Sequence, residues 1–428
     1  FPAIELLGAV ATAAVLYAGA QFIGAGSMQI GTLVAAVGLL ALVFQPLQEL
    51  SELYGQVQAA SAAMDKISSV LDAEIDVADK PDARPIGRID GRLELDDVTF
   101  AYGDEPVLRE IAISVPPGGC IALVGESGCG KTTLGRSILR LIEPTAGQIT
   151  FAGRDITHIS SDELRPLRRK MQIIFQDPFG SLNPRMPVSD IIGEGLLAQG
   201  MKDRKARDKK VEDSLELVGL RREYTRRYPH EFSGGQRQRI GIARALALGP
   251  DLVVCDEPVS ALDVSIQSQV LNLLLDLRRD LNLTYIFISH NLSVVQYFSD
   301  RVGVMYLGRI AELGSVEQLY KDPRHPYTVA LLSAIPDPNP RRRKKRLVLK
   351  GDVPSPAAPP SGCRFHTRCW LREKLGNPER CVTEEPKLRN FGGGHQTACH
   401  FAEEISNETV SAVVETQSVL ETAVADPA

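Results

Sequence analysis

Hydrophobic residues are distributed unevenly along the chain of 428 residues, and their pattern divides it into five parts. Two apolar runs, about residues 3–25 and 30–44, predict a pair of helices within residues 1–48. The first run is long enough to cross a bilayer, which takes about 20 residues, and the second is marginal. A pair of transmembrane helices is therefore the favoured reading, and a buried helical hairpin of a soluble core is the alternative.

The remaining parts differ in periodicity and composition. Residues 49–90 predict a charged amphipathic helix and then a linker rich in Asp, Pro and Gly. Strand-like runs alternate with helical patterns over residues 91–335, which is typical of an α/β domain with a partly parallel sheet. Residues 336–400 contain a proline-rich linker and a cysteine-bearing extension. Residues 401–428 carry six acidic side chains and no basic one, which predicts a disordered acidic tail.

Charge and cysteine content narrow the classes of function. A net charge of −5 gives no overall basic field, so we expect no nucleic-acid partner. Three of the seven cysteines, Cys120, Cys129 and Cys255, lie in apolar or glycine-rich runs. This placement argues against a secreted disulfide framework.

A phosphate-binding motif of the P-loop type stands between a predicted strand and a predicted helix. With the residue that follows the motif, it comprises Gly125, Glu126, Ser127, Gly128, Cys129, Gly130, Lys131, Thr132 and Thr133. Its glycines let backbone N–H groups turn toward phosphate oxygens at a helix N-terminus. Lys131 is expected to reach the β- and γ-phosphates of a nucleoside triphosphate, and the Thr132 hydroxyl to ligate Mg²⁺.

Two further segments carry complementary chemistry. The apolar run 252–255 ends in Asp256, predicted to hold the Mg²⁺ shell, and Glu257, predicted to polarise the attacking water. Between this run and the P-loop lies a second predicted anion site, in which a serine caps a helix and two glycines bare its first amides. Its residues are Ser233, Gly234, Gly235 and Gln236.

This second site, preceded by Phe232, resembles the Leu-Ser-Gly-Gly-Gln signature of the ATP-binding-cassette (ABC) family, with Phe in place of Leu. The resemblance implies a P-loop ATPase fold and a head-to-tail pair of domains, either two copies or two related chains. Each ATP would lie between the P-loop of one domain and the signature of the other. It also implies that Tyr102 stacks on adenine and that Gln176 contacts Mg²⁺ or water. Asp263 would touch the partner domain across the dimer, and His290 would contact the γ-phosphate.

Residues 121–400 are similar to one branch of that family, the oligopeptide/dipeptide importer ATPases. The similarity is most specific at residues 175–186, 228–232, 325–328 and 351–369. It implies ATP hydrolysis with Mg²⁺ on the cytoplasmic side of the inner membrane, coupled to peptide uptake through separate permease subunits. Peptide, nickel and glutathione systems share these motifs, so the solute stays open.

Four cysteines of the extension form a candidate metal centre: Cys363, Cys369, Cys381 and Cys399. Four thiolates in a small module with little apolar content suit a [4Fe–4S] cluster or a structural Zn²⁺. Their spacing matches no C-x-x-C signature, so four reduced cysteines and disulfides stay open as alternatives. Only the resemblance to the family favours iron–sulfur over zinc.

The first part of the chain resembles a different branch. Residues 3–71 look like the last two membrane helices of an ABC exporter half-transporter, and residues 98–102 like the opening of its nucleotide domain. These residues predict a chimeric or truncated chain, and a truncated exporter is the alternative function. A soluble cassette protein of translation or DNA repair would carry tandem cassettes or a long coiled-coil insertion, and the sequence has neither.

Overall fold

The computed structural model describes residues 2–71, 91–103, 105–335 and 347–406. The predicted linker segment 72–90, part of the second linker at 336–346, and the tail from 407 to 428 lie outside the described residues. Two compact units make up the chain, Phe1–Pro85 and Ile86–Ala428.

The first unit contains two helices, α1 (Pro2–Gly24) and α2 (Ile30–Leu71). They approach closely at Gly19, where an added Cβ would lie 2.3 Å from Leu33 Cδ1. By length and composition Leu7–Gly24 could cross a membrane, whereas the apolar segment Ile30–Val43 is shorter.

Helix α2 is one continuous helix where the sequence predicts two separate elements, an apolar helix and an amphipathic one. It passes through Pro46 without interruption and joins the second apolar run to the amphipathic segment. A proline inside a helix removes one backbone hydrogen bond. The residues that follow, Leu47 to Leu50, are good helix formers with no glycine or asparagine to end the helix, so it continues.

The second unit contains the other α-helices and β-strands of the described residues. In chain order they are β1 (Leu93–Tyr102), β2 (Glu105–Val115), β3 (Cys120–Val124), α3 (Lys131–Ile138), β4 (Ala146–Phe151), β5 (Arg154–Asp155), α4 (Ser161–Lys170), β6 (Met171–Ile174), α5 (Val188–Ala198), α6 (Arg204–Leu217), α7 (Gly234–Leu246), β7 (Leu252–Asp256), α8 (Val264–Leu281), β8 (Thr284–Ile288), α9 (Leu292–Phe298), β9 (Arg301–Tyr306), β10 (Arg309–Ser315), α10 (Val316–Lys321), α11 (Pro326–Ser333), α12 (Trp370–Lys374), α13 (Arg380–Thr383), β11 (Arg389–Asn390) and β12 (Gln396–Thr397).

These elements form the α/β architecture that the alternation of runs predicts. A four-stranded antiparallel sheet has the order β2-β1-β4-β5, and an eight-stranded sheet has the order β11-β12-β10-β9-β3-β8-β7-β6. The neighbours β9, β3, β8, β7 and β6 are parallel, and β10 pairs with β9 in the antiparallel sense. Helices α5, α6 and α7 pack on one another, and α7 also packs on β6 and α8.

The central strands explain where the predicted motifs meet. Every residue of β3, β7 and β8 is buried, as expected for parallel strands covered on both faces. Because β6, β7, β8 and β3 are parallel neighbours, the loops that follow them leave from one edge of the sheet. That edge is where open α/β sheets bind their ligands.

The extension is built into this unit. Strand β12 pairs with β10, placing Thr397 opposite Glu312, and β11 pairs with β12. The buried side chains of Phe365 and Trp370 belong to the same core as the central strands. The ordered chain also continues past residue 400, with Ala402 and Ile405 buried, so the predicted tail starts later than the change in charge suggests.

A buried carboxylate holds the joint between the extension and the sheet. Glu312 on β10 is fully buried and accepts hydrogen bonds from the backbone N–H groups of Arg324 (2.6 Å) and His325 (3.1 Å). Its Oε1 also lies 2.7 Å from Nε2 of His395, in the turn before β12. One side chain thereby satisfies polar groups from two segments that flank it.

We expect Glu312→Ala to lower the free energy of unfolding by about 3 kcal/mol, because it leaves buried donors without an acceptor. Glu317→Ala is the control, since the Glu317–Lys321 pair is exposed and such pairs contribute about 0.5 kcal/mol or less. Urea titration followed by the fluorescence of Trp370, the only tryptophan, measures both. Equal midpoints for the two variants would contradict the role of Glu312.

Candidate nucleotide site

The P-loop connects β3 to α3 at the carboxyl edge of the central sheet. Gly125, Gly128 and Gly130 have φ values of 152°, 82° and 99°, which side chains with a Cβ rarely adopt. Space is also restricted, because a Cβ on Gly125 would lie 2.3 Å from the carbonyl oxygen of Met305. These glycines allow the loop to curl around the start of α3, where backbone N–H groups bind anions.

Lys131 occupies the first position of α3 and is buried. Its ammonium group donates to the carbonyl oxygens of Gly125 (2.7 Å) and Glu126 (3.1 Å). The side chain thus lies back across the mouth of the loop. A phosphate group held by the loop would meet this charge.

Thr132 and Asp256 form the predicted Mg²⁺ shell. The Thr132 hydroxyl donates to Asp256 Oδ1 at 2.9 Å, which joins the start of α3 to the end of β7. Burial raises the pKa of Asp256, while the bond from Thr132 lowers it. A hydroxyl and a partly desolvated carboxylate are oxygen ligands of the kind that Mg²⁺ prefers.

Three predicted catalytic residues converge on one carboxylate oxygen. Glu257 Oε2 accepts a hydrogen bond from Gln176 Nε2 at 3.0 Å and lies 3.2 Å from His290 Nδ1. These residues come from the loops that follow β7, β6 and β8. Glu257 has a φ of 46°, in the left-handed region, so its side chain leaves the strand direction at the sheet edge.

The signature segment lies on another layer. Ser233 and Gln236 form a reciprocal capping box at the start of α7: Ser233 Oγ accepts from the Gln236 N–H and Gln236 Oε1 accepts from the Ser233 N–H. Phe232 is buried against the ring of Tyr224, which accounts for an aromatic residue in place of leucine. The buried side chains of α7 belong to one hydrophobic core and those of α3 to the other, so the two predicted anion sites belong to different layers.

Two more predicted residues are exposed. Tyr102, at the end of β1, packs edge-to-face on Phe100 and leaves 56% of its surface accessible. Asp263 precedes α8 and makes no side-chain capping bond to that helix. Both residues are therefore accessible for the contacts with adenine and with a partner domain that the family resemblance implies.

Sequence reasoning missed two residues that contact the P-loop. The N–H of Glu126 donates to the Tyr327 hydroxyl at 2.8 Å, and the Glu126 carboxylate pairs with Arg368 of the extension at 2.7 Å. Both partners lie in stretches that resemble the importer branch, but no local pattern says what they contact. Tyr327 and Arg368 are 201 and 242 residues from Glu126 in the sequence, so a local pattern does not reveal these contacts.

The four extension cysteines line one cavity together with His366 and His400. Burial raises the pKa of Cys363 to about 11 and of Cys369 to about 12, and the thiols of Cys381 and Cys399 shift in the same direction. Neighbouring thiols add to the shift at Cys363, Cys369 and Cys399. All of the cysteines are free thiols, and in the described part of the chain no group of three or more metal-ligating side chains is placed to hold an ion.

Comparison with protein families matches two parts of the chain. Residues 108–260 match the model of the ABC transporter family, which includes the P-loop, the signature and Glu257. Residues 311–374 match the C-terminal region of oligopeptide/dipeptide transporters. The second match begins in β10 and ends in α12.

Individual proteins are similar over most of their own length. A protein of Brucella ovis, provisionally named a peptide import ATP-binding protein, is 57% identical over 293 residues, 68% of this chain and 91% of that protein. The oligopeptide transport ATP-binding protein AppF of Bacillus subtilis is 51% identical over 302 residues, 70% of this chain and 90% of AppF. Among solved structures, cbiO1 from Clostridium perfringens, part of the ABC transporter complex cbiONQ, aligns with a TM-score of 0.50 at 28% identity, covering 54% of this chain and 91% of cbiO1.

We expect Glu257→Gln to bind ATP normally and to lower the rate of hydrolysis at least about 100-fold, because the attacking water loses its orienting carboxylate. Lys131→Ala should instead weaken nucleotide binding. Fluorescent-nucleotide titration and phosphate release separate the two effects. Glu317→Gln, on the exposed face of α10, is the control, and normal turnover by Glu257→Gln would refute the assignment.

Proposed function

This chain belongs to the ABC transporter ATP-binding family, in its oligopeptide/dipeptide branch, and from that premise we propose that it hydrolyses ATP to drive uptake of peptides through permease subunits. The observation that carries the proposal is the convergence of Gln176 and His290 on Glu257, next to the Thr132–Asp256 bond. These contacts join the groups that phosphoryl transfer to water needs. The C-terminal region marks the peptide branch.

In the proposed mechanism the P-loop amides and Lys131 bind the β- and γ-phosphates. Thr132, Asp256 and Gln176 are the residues that would hold Mg²⁺, which when bound would neutralise charge at the transferring phosphoryl group. Glu257 orients the attacking water by accepting a hydrogen bond from it. His290, which lies beside the Glu257 carboxylate, would contact the γ-phosphate, and Gln176 holds that carboxylate in place by a hydrogen bond.

ABC ATPases work as dimers with membrane permease subunits. We propose that the Ser233–Gln236 segment of one chain closes on the ATP bound at the P-loop of a second, with Asp263 at the contact between them. Support comes from the exposed Asp263 and from the different layers that carry the P-loop and the signature. A head-to-tail pair brings each signature to the other chain's P-loop.

We place this ATPase on the cytoplasmic side of the inner membrane, where importer subunits of the family associate. The helix α1 contains a segment apolar and long enough to span a bilayer. The pair formed by α1 and α2 is the feature that favours the second candidate, an exporter-type ATPase. In that case the chain would associate through its own helices, without separate permeases.

Reconstitution distinguishes import from export. We expect the tagged full-length chain, purified from its native membrane, to retain permease subunits, and the complex in liposomes to show ATPase activity stimulated by peptide and an external binding protein. Glu257→Gln should abolish peptide accumulation while keeping the complex intact. Self-association without permeases, with export into inside-out vesicles, would favour the exporter.

We propose further that Cys363, Cys369, Cys381 and Cys399 hold an iron–sulfur cluster or a zinc ion. Their shared cavity supports this, because a cation relieves the cost of bringing several buried thiolates together. The donor set fits either centre. When bound, the centre would supply structural cross-linking of the small module.

Anaerobic purification tests the metal centre. We expect bound iron with acid-labile sulfide and visible absorption that bleaches in air, or one zinc per chain without colour. Cys369→Ser should lose the metal, whereas Cys255→Ser, in the core strand β7, should keep it. Metal-free protein with four alkylatable extension thiols would contradict the proposal.

A further inference from the structure

The extension reaches the P-loop through a two-pronged ion pair. Arg368 Nη1 lies 2.7 Å from Glu126 Oε2, and Arg368 Nη2 lies 3.3 Å from Glu126 Oε1. The arginine side chain is 8% exposed and the glutamate side chain 30%. Paired guanidinium bonds of this kind fix geometry as well as charge, and partial burial limits screening by salt.

Glu126 is also fixed through its backbone. Its N–H donates to the Tyr327 hydroxyl at 2.8 Å, and its carbonyl oxygen accepts from Lys131 Nζ at 3.1 Å. Glu126, which pairs with Arg368, is therefore hydrogen-bonded directly to Lys131, the residue expected to contact phosphate. A change at Arg368 acts directly on the loop.

Arg368 lies between two of the extension cysteines, Cys363 and Cys369, in a 3-10 turn formed by His366–Arg368. In the same stretch the buried Arg364 donates to the carbonyl oxygen of Leu307, which follows β9. Nearer the linker, residues 353–356 line a cavity of about 200 Å³ together with P-loop residues. The extension thus borders the loop on more than one side.

The charge of Glu126 gives this contact a consequence for binding. A carboxylate in a phosphate-binding loop repels a triphosphate, and at short range the repulsion is substantial when solvent is partly excluded. Arg368 offsets that charge. Removing one member of a buried ion pair leaves the other uncompensated, whereas removing both costs much less.

We propose that Arg368 is a positioning residue for ATP: its charge neutralises Glu126 in the P-loop, so that docking of the extension sets the affinity for nucleotide. The proposal rests on the proposed ATPase function. It does not depend on whether the four cysteines bind a metal.

The test measures KM for ATP and kcat in the full-length chain. Arg368→Gln should raise KM about three- to thirty-fold with kcat changed less than about twofold, as for other residues that couple sites. Arg368→Lys, which keeps the charge, should recover part of the loss. Arg380→Gln is the matched control, because Arg380 forms an exposed pair with Glu384 in the same extension.

Charge neutralisation and a mechanical clamp predict opposite changes in KM for Glu126→Gln. Glu126→Gln alone should lower KM, because it removes the negative charge and leaves the Arg368 charge to attract phosphate, and Glu126→Gln combined with Arg368→Gln should bring KM to within about threefold of the parent value. A clamp that acts only by holding the loop predicts a raised KM in all three variants. That result, or a parent-like KM in Arg368→Gln, would overturn the proposal.

Trp370 reports whether the extension stays docked, since it is the only tryptophan, is buried, and donates from Nε1 to the carbonyl oxygen of Pro326 at 2.9 Å. Emission at the parent wavelength is expected for every variant. If Arg368→Gln shifts the emission to the red, the KM of Glu126→Gln becomes the deciding measurement, because that variant changes no extension residue. Parent protein that neither binds nor hydrolyses ATP would refute the proposed function itself, an outcome distinct from a parent enzyme indifferent to Arg368.

Discussion

The parallel register of four neighbouring strands is the constraint on which the site depends. Leu123 of β3 and Asp256 of β7 both align with Ile288 of β8, and Ile174 of β6 aligns with Cys255 of β7. The four loops that follow therefore start at nearly the same height along the sheet. A slip of one residue would turn alternate side chains to the opposite face and move Asp256 away from Thr132.

The sequence predicts those parts of the site that are local. Lys131 and Thr132 end the loop that follows β3, and Asp256 and Glu257 lie at the end of β7, so motif and position come from the same short segments. Gln176 and His290 carry no such local signal, and only the family's motif order singled them out. Their contacts with Glu257 depend on sheet order, which a one-dimensional pattern does not contain.

Other features could not be predicted because their causes lie far away in the chain. From its sequence position beside Cys369, Arg368 is predicted to be an ordinary surface cation, whereas in the fold it pairs with Glu126. Burial of Ala402 depends on packing of the extension, which the change to acidic composition at residue 401 conceals. Helix α2 continues through Pro46, although the change from an apolar to an amphipathic pattern there predicts two separate elements.

The packing around Phe365 shows that the extension and the P-loop form one cooperative structure. Its ring lies 5.2 Å from that of Tyr306 and 5.4 Å from that of Tyr327, and the Tyr327 hydroxyl accepts the N–H of Glu126. Interiors this closely packed do not deform locally without moving their neighbours. Phe365 also lines the cysteine cavity, so the cavity, the aromatic cluster and the P-loop belong to one continuously packed region.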